Sequence, residues 1–439
     1  MIKYAEDWLK RSLERIYPSV RRSLKIFTVI VVVGWNTYPA PASETLQQQG
    51  AGRHISGATF LAQADSTLKS QADRGESVRQ GLARSPDGAS DSVWRSEELD
   101  LLGIGLAIGD LDGDGRNDVV IIDPSTVYVY SFSEGRLTKV AEHSSRNLEL
   151  KSVDVARSRP GAPPRIYVTA QNRGSVASFV LEFTNGILTP VIKDFPYYLR
   201  VLLYPTRGPI LLGQQKGLNK VYEGPIVQLV DQGSRLEVQG RFGVPLKIPI
   251  FGFAIGDLEG KRRPLIAVYD KEDHLRVYEP SGKRLFISND YYGGSDVLLR
   301  LEGPTERSTA SDDNSHAYYR PRIMSLDLDG DAAYEVIALT HSSRTARYMS
   351  RTKMLEDGQV ISLKWNGETL IPVWCTPPIQ GMITDFTVDN LPGLSGRRLI
   401  VLERKKTDWL SFLRSKSQIK AYALDLLMAD GMKYQRRKE

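Results

Sequence analysis

One cysteine and five histidines in 439 residues leave little from which to build a thiol or imidazole site. A lone thiol, Cys375, cannot close an intrachain disulfide, and without paired Cys or Cys/His spacing the chain is neither a disulfide scaffold nor a cysteine-based zinc or iron–sulfur protein. The histidines (His54, His143, His274, His316, His341) are scattered, with no H-E-x-x-H, G-x-S-x-G or C-x-x-C-H pattern. Each reads as a turn or surface histidine, and no catalytic residue is assigned. No apolar run reaches the roughly 20 residues a membrane-spanning helix needs, which excludes a polytopic membrane protein. Excess charge of one sign is also scarce. The net charge is +6, but residues 1–25 hold seven Lys/Arg against three acids, so only +2 remains beyond them. No aromatic-plus-arginine stacking motif accompanies it, and nucleic acid is not an expected partner. What is present, 41% hydrophobic and 25% charged residues, suffices for a large core.

The basic N-terminal segment leads into Ile26-Phe27-Thr28-Val29-Ile30-Val31-Val32-Val33-Gly34-Trp35 and then Ala40-Pro41-Ala42. A charged n-region, a ten-residue apolar h-region and an A-x-A exit form the pattern of an export signal over residues 1–42. An uncleaved anchor extended through Pro39 is the alternative. The amphipathic stretch Trp8, Leu9, Leu13, Ile16 is foreign to such signals, and suggests that translation starts near Leu13 or Val20; finding residues 1–12 in the precursor by N-terminal sequencing would refute this. Residues 43–91, rich in Gln, Ser, Ala, Gly and Arg, have too few large apolar residues to offset backbone ordering and read as a linker.

From Trp94 onward one pattern recurs: an apolar approach, an acidic turn, a β-branched run, a polar turn and an alternating strand. Clear copies are anchored at Asp110, Asp257 and Asp327, and weaker ones near Asp154, Tyr204 and Asp389. The intervals of 44 to 70 residues, the longest swollen by polar insertions at Glu302–Arg320 and Ser342–Asp357, match a propeller blade of about four strands. The fold expected is therefore an all-β β-propeller over residues 92–430, with six blades, or seven as the alternative, and a basic tail at 431–439. An open β-sandwich array is the structural rival. Ring closure needs one blade built from both ends of the domain, here Ser92–Glu97 beside Ile419–Leu424.

Two of the turns carry metal-ligand chemistry. Asp110-Leu111-Asp112-Gly113-Asp114-Gly115-Arg116-Asn117-Asp118 places carboxylates at positions 1, 3, 5 and 9, Gly at 6 and the Arg116 carbonyl at 7. Alternate carboxylates curl around one centre and suit a hard cation that takes six to eight oxygens, which points to calcium. Asp327, Asp329, Asp331, Ala333 and Glu335 repeat this set, but with Ala332 at position 6, where a positive φ would cost about 1 kcal/mol or more. At Asp257, Lys261, Arg262 and Arg263 follow Glu259, and side-chain cations are expected to stand in for a metal; Asp389-Asn390 lacks the later acids. An EF-hand is excluded, since these loops lie between strands and close at position 9.

Ala107-Ile108-Gly109-Asp110 through Asp123-Pro124, and closely also Asp327 to Glu335, resemble the FG-GAP or VCBS repeats of integrin α-chain propellers and of many exported bacterial proteins. The resemblance covers about Trp94 to Leu424 and implies a propeller with calcium in its hairpin turns. It does not imply adhesion, because function rests on grafted sites and not on the fold.

The function expected is a non-catalytic, calcium-stabilised interaction module, exported to the periplasm or cell surface, whose unequal loops bind a protein or a glycan. A polysaccharide lyase or quinone-dependent dehydrogenase is the alternative, and would need a funnel at the ring centre lined by convergent acids, arginines or histidines. Two loops are candidate contact sites. Tyr291, Tyr292, Tyr318 and Tyr319 flank a polar stretch and could stack on a partner or simply pack at blade edges. In Lys405–Lys416, Trp409, Leu410, Phe412 and Leu413 lie between basic flanks, suited to a membrane interface, a docked partner or cover for a blade.

Overall fold

The computed structural model describes residues 93–158, 161–245, 247–301, 316–342, 355–405 and 416–436, all in the unit Thr67–Glu439. The leader, the linker and Trp409, Leu410, Phe412 and Leu413 lie outside the described residues. Six antiparallel sheets follow one another as blades, each built from the ring centre outward; five are four-stranded, and the second carries an extra two-residue strand, Ser175–Val176, beside its four. Their innermost strands are Gly105–Gly109, Glu149–Arg157, Tyr197–Tyr204, Phe253–Gly256, Met324–Leu326 and Gly381–Asp389. The chain is thus a six-bladed β-propeller, as the repeat spacing anticipated.

The second strand of each blade explains the β-branched runs. In Asp118–Ile122, Val119 and Ile121 enter the core shared with blade six, while Val120 and Ile122 enter the core shared with blade two. Successive side chains point to opposite faces of a strand, so a run of four apolar residues marks a strand covered on both sides. Leu265–Tyr269, Glu335–Ser342 and Arg398–Lys405 divide in the same way between their two neighbours. Each of the six apolar clusters joins one blade to the next, and together they account for all six junctions. Close approach of innermost strands also sets one glycine: a Cβ on Gly109 would sit 2.5 Å from Val155 Cγ1 in blade two.

Closure follows the expected route. Val93, Trp94 and Arg95 pair with Tyr422, Ala421 and Lys420 as the outer strand of blade six. The Trp94 indole N–H donates to the Gly135 carbonyl at 2.8 Å, and its ring meets Phe132 edge-on, tying the closing strand to blade one. At the far end the chain forms a helix, Leu424–Arg436, which runs from the last blade into the stretch expected as a basic tail. Leu424, Leu427 and Met428 pack on the core between blades five and six, and Gly431 lets the helix approach the Val373 carbonyl.

Polar groups at the axis bind the blades as well. Asp154, a weak repeat anchor in the sequence, is not a turn residue but lies mid-strand in blade two. Arg322, just ahead of blade five, donates to Asp154 at 2.7 Å, to Asp385 of blade six at 2.9 and 3.1 Å, and to the carbonyls of Leu106 and Val153, both at 3.2 Å. Asp385 in turn accepts from the Leu106 N–H at 3.0 Å and Asp154 from the Val201 N–H at 2.9 Å. Arg200 donates to the Ile250 and Phe253 carbonyls. Burial alone would lower the Arg322 guanidinium, but Asp385 and Asp154 outweigh it and hold its pKa above the usual range. Removing one partner of such a cluster strands the others in a dry interior, a loss of about 3–5 kcal/mol. Arg322→Leu should lower the free energy of unfolding by that amount in urea titration, and a change below about 1 kcal/mol would refute a central role for the cluster.

Candidate metal centre

The acidic loops connect the innermost strand to the second strand of a blade, and neighbouring loops touch. Asn117 Nδ2 donates to Asp389 at 3.1 Å and to the Asn390 carbonyl at 2.9 Å, joining the loops of blades one and six. The Tyr334 N–H donates to the Asp257 carbonyl at 2.9 Å, joining blades five and four.

In the blade-one loop, Asp110 Oδ1 accepts from the Gly113 N–H at 2.8 Å and Asp110 Oδ2 from the Gly115 N–H at 3.2 Å. Gly113 and Gly115 take φ of 81° and 83°, the left-handed region that lets so short a loop curl onto its first residue. One carboxylate oxygen each from Asp110, Asp112 and Asp114 lies within 4.8 Å of the others, a set that could hold a metal ion. Asp118 closes the loop from the first position of the next strand, with its Oδ2 accepting from the Leu111 N–H at 3.1 Å. Arg116, at the seventh position, donates its N–H to Asp114 at 2.8 Å, and its guanidinium pairs with the same carboxylate in solvent.

The blade-five loop copies this wiring bond for bond. Asp327 accepts from the N–H groups of Gly330 and Ala332 at 2.8 and 3.2 Å, Asp331 from that of Ala333 at 2.9 Å, and Glu335 from that of Leu328 at 3.0 Å. Ala332 takes φ of 69°, so the strain anticipated at position 6 is present. Asp327, Asp329 and Glu335 form the second group that could hold a metal ion. Here, however, the Lys364 ammonium sits 3.0 Å from Asp329 and 3.5 Å from Glu335, and pairs closely with Asp331. In the Asp257 turn the pattern survives only in part: Asp257 accepts from the N–H groups of Lys261 and Arg262, four and five residues on, while the Gly260 N–H donates to the Asp257 carbonyl. Lys261 Nζ lies 3.4 Å from Glu259.

Elsewhere the candidates disperse. His143, His274, His316 and His341 lie on strands of separate sheets, not in turns, because each occupies an interior or terminal ladder position. Tyr292 and Tyr319 are buried in apolar clusters, and Tyr291 stacks against His274 with centroids 4.7 Å apart. The base of the Lys405–Lys416 excursion is formed by a hydrogen bond from the Lys405 N–H to the Lys416 carbonyl at 3.0 Å. Sequence reasoning missed the axial set Asp154, Arg200, Arg322 and Asp385 and the cation Lys364. A charge inside an otherwise apolar innermost strand was the available signal for Asp385.

No family model matches the chain, and no curated protein matches it. Among solved structures it is similar to BBS1N in a crystal complex with ARL6DN soaked with lead, at 14% identity and a TM-score of 0.41, covering 76% of this chain and 98% of that one. It is also similar to the soluble aldose sugar dehydrogenase (Asd) of Escherichia coli in its apo-form, at 13% identity and a TM-score of 0.38, covering 75% of this chain and 99% of that one. These are distant neighbours in fold.

The electrostatics of the blade-one loop yield a pH prediction. Burial pushes the Asp118 carboxyl up to about 6, and Asp112, Asp114 and Asp110 add to the rise against the Leu111 N–H. Without metal, the folded chain holds a proton that the unfolded chain, with an aspartate near ~3.9, has released. Stability therefore falls as pH rises from about 4 to about 6. In chelator, Asp118→Asn should gain on wild type across that window in chemical denaturation and hold the gain above it; parallel profiles would refute the shift.

Proposed function

We propose that this chain is a calcium-stabilised β-propeller interaction module of FG-GAP/VCBS type, exported to the cell envelope and non-catalytic. The observation that carries the reading is the blade-one loop. Four carboxylates within nine residues repel one another, one of them lies only 6% exposed, and the oxygens of three already converge. These donors suit a hard divalent cation: Asp110, Asp112, Asp114 and Asp118 would hold it, with the Arg116 carbonyl completing the set. When bound, calcium supplies positive charge that relieves this repulsion. The loop's own contribution is to fix the first turn of blade one and, through Asn117, the contact with blade six.

The axial charges favour binding over catalysis. Asp154, Asp385 and Arg322 spend their hydrogen bonds on each other and on backbone, and the hairpin Leu298–Arg300 with His316–Tyr318 is bonded to blade two by both polar atoms of the Gln171 amide, on Arg300. A protein or glycan partner would then meet the propeller at its unequal loops. The leader pattern supports export, and Trp409, Leu410, Phe412 and Leu413 offer a membrane or partner contact.

Thermal unfolding tests the metal reading directly. At calcium a hundredfold above Kd the folded state should gain about 2.7 kcal/mol over its state in chelator, raising the midpoint by several degrees. Asp112→Asn combined with Asp114→Asn should abolish the gain. Equal midpoints in calcium and chelator, with no calcium in the purified protein by elemental analysis, would overturn the proposal.

A further inference from the structure

Blades one and five present the same acidic loop to different third strands. In blade one, Gly109 pairs with Asp118, and Val119 pairs with Tyr130. In blade five, Leu326 pairs with Glu335, and Val336 pairs with Leu363. The ladders superpose residue for residue, so the position one step beyond Tyr130 corresponds to the one beyond Leu363. Blade one places Ser131 there, which is neutral; blade five places Lys364. The ammonium reaches three of the loop's carboxylates, Asp329, Asp331 and Glu335. Burial would lower the Lys364 pKa, yet these acids outweigh it and hold it well above the usual value.

A second feature marks where that charge acts. Glu335 is 2% exposed, and its Oε1 has no hydrogen-bond donor among the described residues. It faces the cluster, with one oxygen of Glu335 lying within 4.8 Å of those from Asp327 and Asp329. A buried carboxylate oxygen with nothing to accept needs a cation nearby. In blade five a cation is already tethered 3.5 Å away.

We propose that Lys364 is the resident cation of the blade-five loop: it excludes calcium from Asp327, Asp329, Asp331 and Glu335, so that metal dependence is confined to blade one, and residue 131 or 364 decides which loop takes an ion. This rests on the calcium reading of the blade-one loop. A divalent ion entering blade five must displace one ammonium that spans three of its own ligands, whereas in blade one the Arg116 guanidinium reaches Asp114 and Arg157 lies 3.7 Å from Asp110, so no single cation bridges the carboxylates. The repeat has two ways of neutralising the same turn, one soluble and one covalent.

Calorimetric titration of the full chain with calcium chloride, after chelator treatment, counts the sites. Wild type should bind one ion, Lys364→Ser two, and Ser131→Lys none. Lys364→Gln keeps the length of the side chain and should also give two, which covers a Lys364→Ser variant that does not fold, as judged by circular dichroism. Adding Asp112→Asn and Asp114→Asn to Lys364→Gln should return the count to one and assign that ion to blade five. Two sites of similar affinity in wild type, or one site in folded Lys364→Gln, overturn the proposal while leaving calcium in blade one. No site in wild type but one in Lys364→Gln sustains the exclusion and ends the calcium reading of blade one.

Discussion

A four-stranded sheet with two apolar faces cannot stand in water, and this constraint organises the molecule. Each second strand buries alternate residues against the blade before it and the blade after it, so no blade has a core of its own. At about 25 cal/mol per Å² of apolar area, leaving one blade's neighbour absent would expose two clusters at once. The ring must therefore close. The closing strand needs only three residues because its neighbours already hold the rest of blade six in place. Trp94 adds reach by bonding to blade one from blade six, so the last joint is fixed by side chain as well as by ladder.

Closure creates a second problem at the axis, where six innermost strands converge and polar backbone near the centre must be satisfied. Arg322 meets it with a guanidinium whose donors are shared among two carboxylates and two carbonyls from blades one, two and six. A buried ion cluster of this kind gains little over a well-packed apolar one, but it is intolerant of a missing partner. Its geometry therefore favours one register of blades, since a rotated blade would leave Asp154 or Asp385 without its counter-charge. Arg200 acts similarly between blades three and four, through carbonyls.

Much of this architecture was legible in the chain because the physics behind it is periodic. Val119 to Ile122 and Leu265 to Tyr269 can be read as doubly buried strands from their composition, and the six anchors at or near Asp110, Asp154, Tyr204, Asp257, Asp327 and Asp389 give the blade count. The loop geometry was legible too, down to the positive φ at Ala332, because a turn that wraps a carboxylate onto its own N–H groups has few conformations. What could not be read was everything that depends on contacts between distant residues. Lys364 lies 29 residues beyond Glu335 across an insertion, and Arg322 sits in a connection between blades. Neither belongs to a motif. Asp154 misled for a related reason: an acid at roughly the right interval looks like a turn anchor, and only its strand neighbours reveal that it faces inward. The helix Leu424–Arg436 was hidden because Gly431, a poor helix former, follows the apolar residues Leu426 to Ala429 and reads as a break before a basic tail.

The acidic turns and the axial cluster solve one electrostatic problem at two depths. In each, carboxylates gathered by the fold raise the local negative charge, and a cation must come from somewhere. At the axis, Asp154 and Asp385 are buried and Arg322 is partly buried, so a mobile ion would lose much of its hydration, and the counter-charge is an arginine built into the chain. At the rim, water can reach the loop and a dissolved ion can be exchanged, so either a divalent cation or a lysine can serve. Under the calcium proposal the two differ in their response to the medium: a covalent counter-ion leaves its loop indifferent to dissolved ions, whereas an exchangeable one makes the stability of its loop depend on divalent-ion concentration. Because the blade-one loop is bonded to blade six through Asn117, the acidic cluster proposed to take an exchangeable ion stands beside the joint at which the ring is sealed. The blade-five loop, away from that joint and against blade four, is the one that carries its cation permanently.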